Sequence, residues 1–314
     1  ARKMSAAFFG HPDSELITIG LTGTKGKTTT TYMIKSVLTE AGKKVGLIGT
    51  IGALIGDEKL EAKNTTPESY ELHKMFRAMV DAGCEYVVME VSSQGLKMDR
   101  VAGIVFDYGI FTNLSPDHIG PTEHATFEEY MECKSLLFRQ CKVGIANIDD
   151  EHWQGVLAGH TCTLKTLSCN KEADLTAGAI GFLDEEGKLG MHFTTTGCMN
   201  VYAKVYIPGR FSVYNSLVTM LTCHLAGISD EDILHGLAKV QVKGRVEMVP
   251  VSKEFTVIID YAHNEVSTRS VLTTLLEYKP KRLICVYGGG GNRSKLRRYD
   301  MGEVTGELAD LCVL

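Results

Sequence analysis

One segment near the start of the chain constrains the fold more than any other part of the sequence. Two apolar runs, at residues 17–21 and 45–48, flank the stretch "TGTKGKTTTT" and the helix-like segment that follows it. A strand, a glycine-rich turn, a helix and a second strand in this order are typical of a parallel sheet. We therefore expect this segment to form a βαβ unit of an α/β protein.

The glycine-rich turn has the composition of a phosphate-binding loop. Glycines let backbone N–H groups approach phosphate oxygens, and the N-terminus of the following helix adds a partial positive charge. In such a loop Lys27 reaches the β- and γ-phosphates, and the hydroxyl of Thr28 ligates Mg²⁺. The common pattern GxxxxGK[ST] is incomplete, because its first glycine falls on Leu21. A glycine-rich turn without a ligand is the alternative, but the flanking strand and helix favour a nucleoside triphosphate site.

Composition excludes several classes of protein. The 314 residues are enough for about two domains. The formal net charge of −5, without a basic run, gives no reason to expect nucleic acid as a partner. We expect no membrane span, because the sequence has no apolar stretch long enough for one. Nine cysteines without a CxxC pair indicate free thiols and a cytoplasmic protein.

Strand-like and helix-like segments alternate through the first half of the chain. This alternation predicts a mostly parallel sheet with helices on both faces. Residues 178–206 alternate apolar and polar side chains, which predicts a small antiparallel insert. After Lys243 the segments "FTVIIDYAH", "RLICVY" and "LCVL" are separated by helical patterns, so a second, Rossmann-like unit is expected there.

Two candidate metal ligands follow predicted strands. Glu90 lies near the end of the buried run "YVVMEV", and the carboxyl ends of strands in open α/β sheets face the ligand crevice. Its carboxylate is a hard oxygen ligand of the kind that Mg²⁺ prefers, although a surface glutamate is the alternative. His118 follows "IFTNLSPD". The residues alone leave His118 open as a structural histidine or a ligand.

Lys134 is predicted to lie on the apolar face of a helix. The apolar positions of this helical stretch are Phe127, Tyr130, Met131, Leu137, Phe138 and Cys141. Lys134 falls within the stripe, and a buried lysine is costly unless it is paired or neutralised. Its long side chain could instead reach the surface, and the residues alone leave both possibilities open.

The loop "TGTKGKTTT" resembles the "TGTNGKT(T/S)" loop of the Mur ligases, ATP-dependent amide-forming enzymes of peptidoglycan precursor synthesis. Six further motifs recur in family order: "NTTP" at 64–67, "MEVSSQGL" at 89–96, "TNLSPDH" at 112–118, "YNSL" at 214–217, "GRVE" at 244–247 and "DYAH" at 260–263. The set is most similar to the UDP-N-acetylmuramoyl-tripeptide synthetases, which add the third residue of the stem peptide.

The resemblance implies an α/β fold with three parts. Residues 1–12 are expected to be a linker from a missing amino-terminal domain. Residues 13–241 are expected to form the central ATP-binding domain, a mostly parallel sheet flanked by helices with a small antiparallel sheet. Residues 242–314 are expected to form an incomplete Rossmann-like carboxyl-terminal domain, which stops before the motif that selects the incoming amine.

The resemblance also assigns roles to individual residues. The implied catalytic and metal set is Lys27, Thr28, Glu90, His118 and Lys134, with Lys134 carbamylated by CO₂ so that it holds a second Mg²⁺. The implied ATP-binding set is Gly23, Thr24, Lys25, Gly26, Lys27, Thr28, Thr29, Asn215, Arg245 and Asp260. The implied substrate-binding set is Thr65, Thr66, Ser92, Arg100 and Arg298.

The implied activity is ATP-dependent addition of an amino acid to a UDP-N-acetylmuramoyl-dipeptide through an acyl phosphate. Such a ligase serves cell wall biogenesis, and thereby cell shape and cell division, in the cytoplasm. We expect a monomer that needs ATP and two Mg²⁺. Its partners are the UDP-muramoyl-peptide and the amino acid.

Two alternatives stay open, because the sequence departs from the family pattern. Lys25 replaces an asparagine, Gln94 replaces a histidine, "HIGPTEH" replaces "HLDYHG", and Asn292 and Ser294 replace acidic residues. The chain could be a related ligase with a different acceptor, such as a polyglutamate or cell-wall-modifying enzyme. It could also be an ATP-binding partner subunit that does not ligate.

Overall fold

The computed structural model describes residues 2–117, 119–120, 123–185, 187–252, 254–288 and 295–314, with the backbone alone at 2–3 and 295–298. The helices are α1 (Arg2–Phe8), α2 (Lys27–Glu40), α3 (Ser69–Asp81), α4 (Ser93–Lys97), α5 (Phe127–Ser135), α6 (Trp153–Val156), α7 (Arg210–Leu225), α8 (Asp230–Lys239), α9 (Glu265–Leu276) and α10 (Lys295–Leu308). The strands are β1 (Ile17–Thr22), β2 (Val45–Gly49), β3 (Gly52–Ile55), β4 (Glu58–Leu60), β5 (Tyr86–Glu90), β6 (Phe106–Phe111), β7 (Cys141–Asn147), β8 (Thr163–Ser168), β9 (Leu175–Glu185), β10 (Lys188–Gly197), β11 (Tyr202–Val205), β12 (Glu247–Val249), β13 (Val257–Ile259), β14 (Ile284–Val286) and β15 (Leu311–Val313).

A large mixed sheet forms the centre of the fold. Its 11 strands follow the order β11-β10-β9-β8-β7-β6-β1-β5-β2-β3-β4. The strands from β8 through β2 pair in parallel, as the alternation of segments predicted. Leu21 of β1 lies beside Glu90 of β5 on one side and Ile110 of β6 on the other. The carboxyl ends of the three central strands therefore meet at one edge of the sheet.

Helices cover both faces of this sheet, because successive side chains of a strand point to opposite faces. On β5, Tyr86 and Val88 pack into a core cluster with α2, α7 and α8. Val87 and Met89 pack into a second cluster with α3. The strand is buried on both sides, which explains why its sequence reads as a continuous apolar run.

The predicted antiparallel insert consists of β9, β10 and β11, which are antiparallel neighbours. It continues the main sheet, since β9 pairs in parallel with β8 at Leu167 and Leu175. The insert is therefore an extension of the central sheet, with one end attached to the parallel strands.

The last part of the chain holds two short strand pairs and two helices. β12 and β13 are antiparallel, whereas β14 and β15 are parallel, as expected for a βαβ connection through α10. In the part of the chain that the structure describes, no helix is both long and apolar enough to cross a membrane.

Candidate active site

The loop between β1 and α2 lies at the edge where the central strands end. Gly23 has φ 146° and Gly26 has φ 86°, a region that favours glycine. A Cβ at Gly23 would overlap the hydroxyl of Thr112, and a Cβ at Gly26 would lie 2.7 Å from Oδ1 of Asn215. The N–H of Thr24 donates to the carbonyl of Asn113 at 2.8 Å. Both glycines are therefore needed for the loop to adopt this conformation.

Lys27 folds back over this loop. Its Nζ donates to the carbonyl oxygens of Gly23 at 2.8 Å and Thr24 at 3.1 Å. Burial lowers the pKa of the Lys27 ammonium, and the nearby Glu90 carboxylate opposes this effect. Carbonyl oxygens thus hold the Lys27 ammonium over the loop. A phosphate group could take their place as its hydrogen-bond acceptor.

Glu90 and Thr28 place hard oxygen atoms together at the end of β5. Oγ1 of Thr28 donates to Oε1 of Glu90 at 2.9 Å. Only 1% of Glu90 is exposed, and a Cβ at Gly49 would lie 2.5 Å from its Oε1. A hydroxyl beside a buried carboxylate is a donor set that suits Mg²⁺. The residues present therefore fit the metal that a nucleoside triphosphate carries.

Thr50 holds the same carboxylate from the position directly after β2, the strand next to β5. Its N–H donates to Oε1 of Glu90 at 2.8 Å, and its hydroxyl donates to Oε2 at 3.1 Å. The hydroxyls of Thr50 and Thr65 are 3.2 Å apart. Thr50 was missed in the sequence analysis, although it directly follows a strand end and so satisfies the same rule that identified Glu90.

Lys134 is buried, with 1% of its surface exposed, so its side chain does not reach solvent. Its Nζ donates to the carbonyl of Gly23 at 2.9 Å and lies 4.4 Å from the centroid of the Tyr130 ring. Burial first, and the charge of Lys27 second, lower the pKa of Lys134 well below its usual value. Lys134 therefore lies on the apolar face of α5, as the helical stripe predicted, and its ammonium contacts the loop after β1.

The predicted substrate residues follow β5 and the "NTTP" segment. The hydroxyl of Thr66 donates to the backbone carbonyl of Glu90 at 3.0 Å, and Ser92 caps α4. Arg100 donates to the carbonyl of Thr66 at 3.1 Å and pairs with Glu68 at 2.7 Å. Thr66 and Arg100 thus form the support of this region, whereas Thr65 and Ser92 line the adjacent cavity.

The predicted nucleotide residues beyond α2 lie on three different elements. Asn215 of α7 is 4% exposed, and its Nδ2 makes no hydrogen bond within the described part of the chain. The guanidinium of Arg245 lies 4.8 Å from the centroid of the Tyr261 ring. Asp260 accepts from the N–H groups of Val246 at 2.8 Å and Ala262 at 2.7 Å.

One cavity of about 770 Å³ joins these groups. It includes Thr28, Glu90, Asn215, Arg245 and Asp260, so residues far apart in the sequence face one space. The predicted residues that the structure describes all line it, except Gly23, Thr66, Arg100 and Lys134. Its volume is in the range of small-molecule sites.

Two predicted residues lie outside this description. His118 is not among the described residues, and neither is the side chain of Arg298. The same holds for Asn292 and Ser294 of the glycine-rich loop. Their predicted roles stay predictions.

Known families and relatives match this chain along most of its length. The family profile of the Mur ligase middle domain matches residues 21–223, and that of the Mur ligase glutamate ligase domain matches residues 244–314. The chain is 43% identical, over 99% of its length, to UDP-N-acetylmuramoyl-L-alanyl-D-glutamate–2,6-diaminopimelate ligase 1 of Clostridium acetobutylicum. It is 41% identical, over 99% of its length, to the corresponding ligase of Clostridium perfringens. The chain spans 64% of the length of each of these two relatives.

Solved structures share the fold. A UDP-N-acetylmuramoyl-L-alanyl-D-glutamate–2,6-diaminopimelate ligase matches with a TM-score of 0.81 at 23% identity, covering 99% of this chain and 65% of that one. The folylpolyglutamate synthetase of Lactobacillus casei matches with a TM-score of 0.77 at 16% identity, covering 99% of this chain and 81% of that one. The middle-domain profile covers more than half of the sequence, and the structural matches extend over nearly all of it. This chain therefore belongs to the Mur ligase family.

Proposed function

We propose that the full-length protein is an ATP-dependent ligase that adds an amino acid to a UDP-N-acetylmuramoyl-dipeptide in peptidoglycan synthesis. The observation that carries this proposal is the convergence of Lys27, Thr28 and Glu90 on one cavity with Arg245 and Asp260. The names of the relatives supply the substrate class, since those proteins are ligases of 2,6-diaminopimelate. The incoming amino acid is proposed from those names alone.

The chemistry requires activation of a carboxylate, because a carboxylate does not condense with an amine at neutral pH. In the proposed route the γ-phosphoryl group of ATP passes to the terminal carboxylate of the dipeptide and gives an acyl phosphate. The amine of the incoming amino acid attacks the acyl carbon, and phosphate leaves with the electron pair of the broken C–O bond. The protein forms no covalent bond to the reactants in this route. It positions them and neutralises their charge.

The residues of the loop are suited to hold the triphosphate. Lys27 would exchange the carbonyl oxygens of Gly23 and Thr24 for the β- and γ-phosphates, a stronger, charge-assisted interaction. Thr28 and Glu90 would hold Mg²⁺, which when bound neutralises charge on the phosphate oxygens. Arg245, which lines the same cavity, would contact the phosphates, and Asp260 would accept from the ribose hydroxyls.

We propose a carbamate on Lys134 as the ligand of a second Mg²⁺, together with His118. A neutral amine is the form that reacts with CO₂, and the lowered pKa of Lys134 favours that form. The amine nitrogen would bond to the carbon of CO₂ and release one proton to solvent, so that a buried cation becomes an anion. The carbamate nitrogen would keep one N–H, which can still donate to the carbonyl of Gly23.

The acceptor is proposed to bind beside the metal. Thr65 and Ser92 line the same cavity as Glu90, which supports a role for them in contacting the nucleotide-peptide. Thr66 and Arg100 would act from behind them, and Arg298 would bind the carboxylate of the incoming amino acid. Residues 242–314 would close over 13–241 to bring the amine to the acyl phosphate and to exclude water. A cytoplasmic location is part of the proposal and is supported by nine free cysteines.

ADP release from the full-length protein tests this proposal. The assay combines ATP and Mg²⁺ with the UDP-muramoyl-dipeptide and a panel of amino acids that includes diaminopimelate and lysine. We expect ADP only when acceptor and amino acid are both present, and none from Lys27→Ala. ADP formation with a different acid acceptor would favour the related ligase. ATP binding without turnover on any substrate would favour the non-ligating subunit.

A further inference from the structure

A second group of possible metal ligands lies on and before α5. Glu129 and Cys133 are four residues apart on this helix and so share one face. His124 lies two residues before the N-cap residue Thr126. One ligand atom from each of His124, Glu129 and Cys133 lies within 4.8 Å of the other two. None of the three lines the active-site cavity.

The surroundings hold these side chains in place. His124 is fully buried and Cys133 is 8% exposed. Nε2 of His124 lies 2.9 Å from Oγ of Ser93, and Oε2 of Glu129 accepts from the N–H of Ala125 at 2.7 Å. Metal-ligating side chains are commonly oriented by such outer hydrogen bonds. Little rearrangement is needed, because ligand atoms around one tetrahedral zinc ion lie about 3.5 Å apart.

A lysine side chain already forms a salt bridge with this cluster. Nζ of Lys97 pairs with Oε1 of Glu129 at 2.8 Å and also donates to the carbonyl of Glu123 at 3.0 Å. The Lys97 side chain is 35% exposed, so its ammonium can move into water when another cation takes its place. A divalent ion would then face a carboxylate, an imidazole and a sulfur atom.

We propose that His124, Glu129 and Cys133 bind one divalent cation of the zinc class. A nitrogen, an oxygen and a sulfur ligand together suit Zn²⁺ better than Mg²⁺, which prefers oxygen alone. The fourth position is open to water, and the thiol of Cys133 releases its proton to solvent when the metal binds. The ion displaces Lys97 and ties α5 to the segment before it, next to Lys134. This site is independent of the proposed ligase activity.

Titration of the metal-free, intact protein with Co²⁺ tests this proposal, and Zn²⁺ is then added as the competitor. Co²⁺ bound by a thiolate gives a sulfur-to-metal charge-transfer band, and tetrahedral Co²⁺ gives strong visible bands. We expect one thiolate-bound ion per chain, displaced by Zn²⁺. Cys133→Ser should lose the charge-transfer band, and His124→Gln should weaken binding at least about tenfold. Circular dichroism identifies any variant that fails to fold.

Lys97→Met should change the affinity for Co²⁺ in the opposite direction. This variant keeps all three proposed ligands. Loss of the competing ammonium should tighten Co²⁺ binding several-fold. Cys198→Ser, at an exposed cysteine, is the matched control and should leave the band unchanged. The proposal is overturned if the wild type gives no band, if Cys133→Ser keeps it, or if Lys97→Met fails to tighten binding.

Discussion

The ammonium groups of Lys27 and Lys134 share one hydrogen-bond acceptor, the carbonyl oxygen of Gly23, at 2.8 Å and 2.9 Å. The two lysines reach this atom from different elements, α2 and α5. Two like charges at one oxygen repel each other, and this repulsion contributes to the lowered pKa of Lys134. These two hydrogen bonds should therefore rearrange when a phosphate attracts Lys27 or when Lys134 loses its charge.

Replacing Lys134 by methionine should preserve the stability of the fold and abolish ligase activity. Methionine has a similar volume and carries no charge, and a buried charge without an opposite charge beside it costs stability. We expect Lys134→Met to be at least as stable as the wild type in urea titrations in CO₂-free buffer, and to lose ligase turnover. A clear loss of stability would contradict the view that the buried ammonium is costly.

The pH dependence of stability follows from the same lysines. The pKa of Lys134 and that of Lys27 lie below the ordinary 10.5 in the folded protein, so the unfolded chain binds more protons between the lowered values and 10.5. Stability should therefore rise with pH through this window. The rise should be smaller in Lys134→Met. Urea titrations of both proteins across the alkaline range measure the difference.

A carbamate on Lys134 should be detectable by NMR. With carbon-13-labelled bicarbonate, the wild type should give one carbamate signal in the NMR spectrum, and Lys134→Met should not give it. Lys27 is the internal comparison, because its pKa is also lowered by burial. A signal that persists in Lys134→Met, or a wild type that gives none at high bicarbonate, would remove the carbamate from the mechanism.

Glu90→Gln should weaken metal-dependent nucleotide binding while the fold persists. An amide oxygen can still accept from Thr28 and Thr50, but the negative charge is gone. We expect a fall in turnover of about 10²–10³-fold, the usual cost of one charge-stabilising group. Calorimetry of ATP binding with and without Mg²⁺ measures the loss. Thr28→Ser keeps the hydroxyl and serves as the control that should retain most of the activity.

Thr50 should position Glu90. Thr50→Val keeps the N–H donor but removes the hydroxyl that reaches Oε2 of Glu90, whereas Thr50→Ser keeps both. We expect Thr50→Val to lose about 1 kcal/mol of transition-state stabilisation, roughly fivefold in kcat/KM, and Thr50→Ser to retain the wild-type value. Equal activity of the two variants would show that the hydroxyl has no part in holding the carboxylate.

Much of this site could be predicted from the sequence, because local patterns determine its parts. The run "YVVMEV" predicted a buried strand, and the strand ends at Glu90 with its carboxylate in the cavity. The apolar stripe placed Lys134 on the apolar face of a helix and left open whether its side chain reaches the surface; the side chain is buried. In each case the period of the pattern defines which face a residue occupies.

The partners of these residues could not be predicted in the same way. Which carbonyl Lys134 contacts depends on how α5 packs against the loop after β1, and the two are about a hundred residues apart in the sequence. The role of Thr50 depends on β2 lying next to β5, a pairing that the sequence pattern does not specify. That β9 joins β8 and extends the main sheet is likewise a long-range pairing.

Isotope transfer tests the central claim most directly: that this cavity uses ATP to activate a carboxylate. The dipeptide acceptor is labelled with oxygen-18 in its terminal carboxylate and incubated with the full-length protein, ATP, Mg²⁺ and diaminopimelate. Mass spectrometry of the released phosphate should find one labelled oxygen, because the acyl phosphate transfers it when the amine attacks. Phosphate that is released without the label would contradict the account.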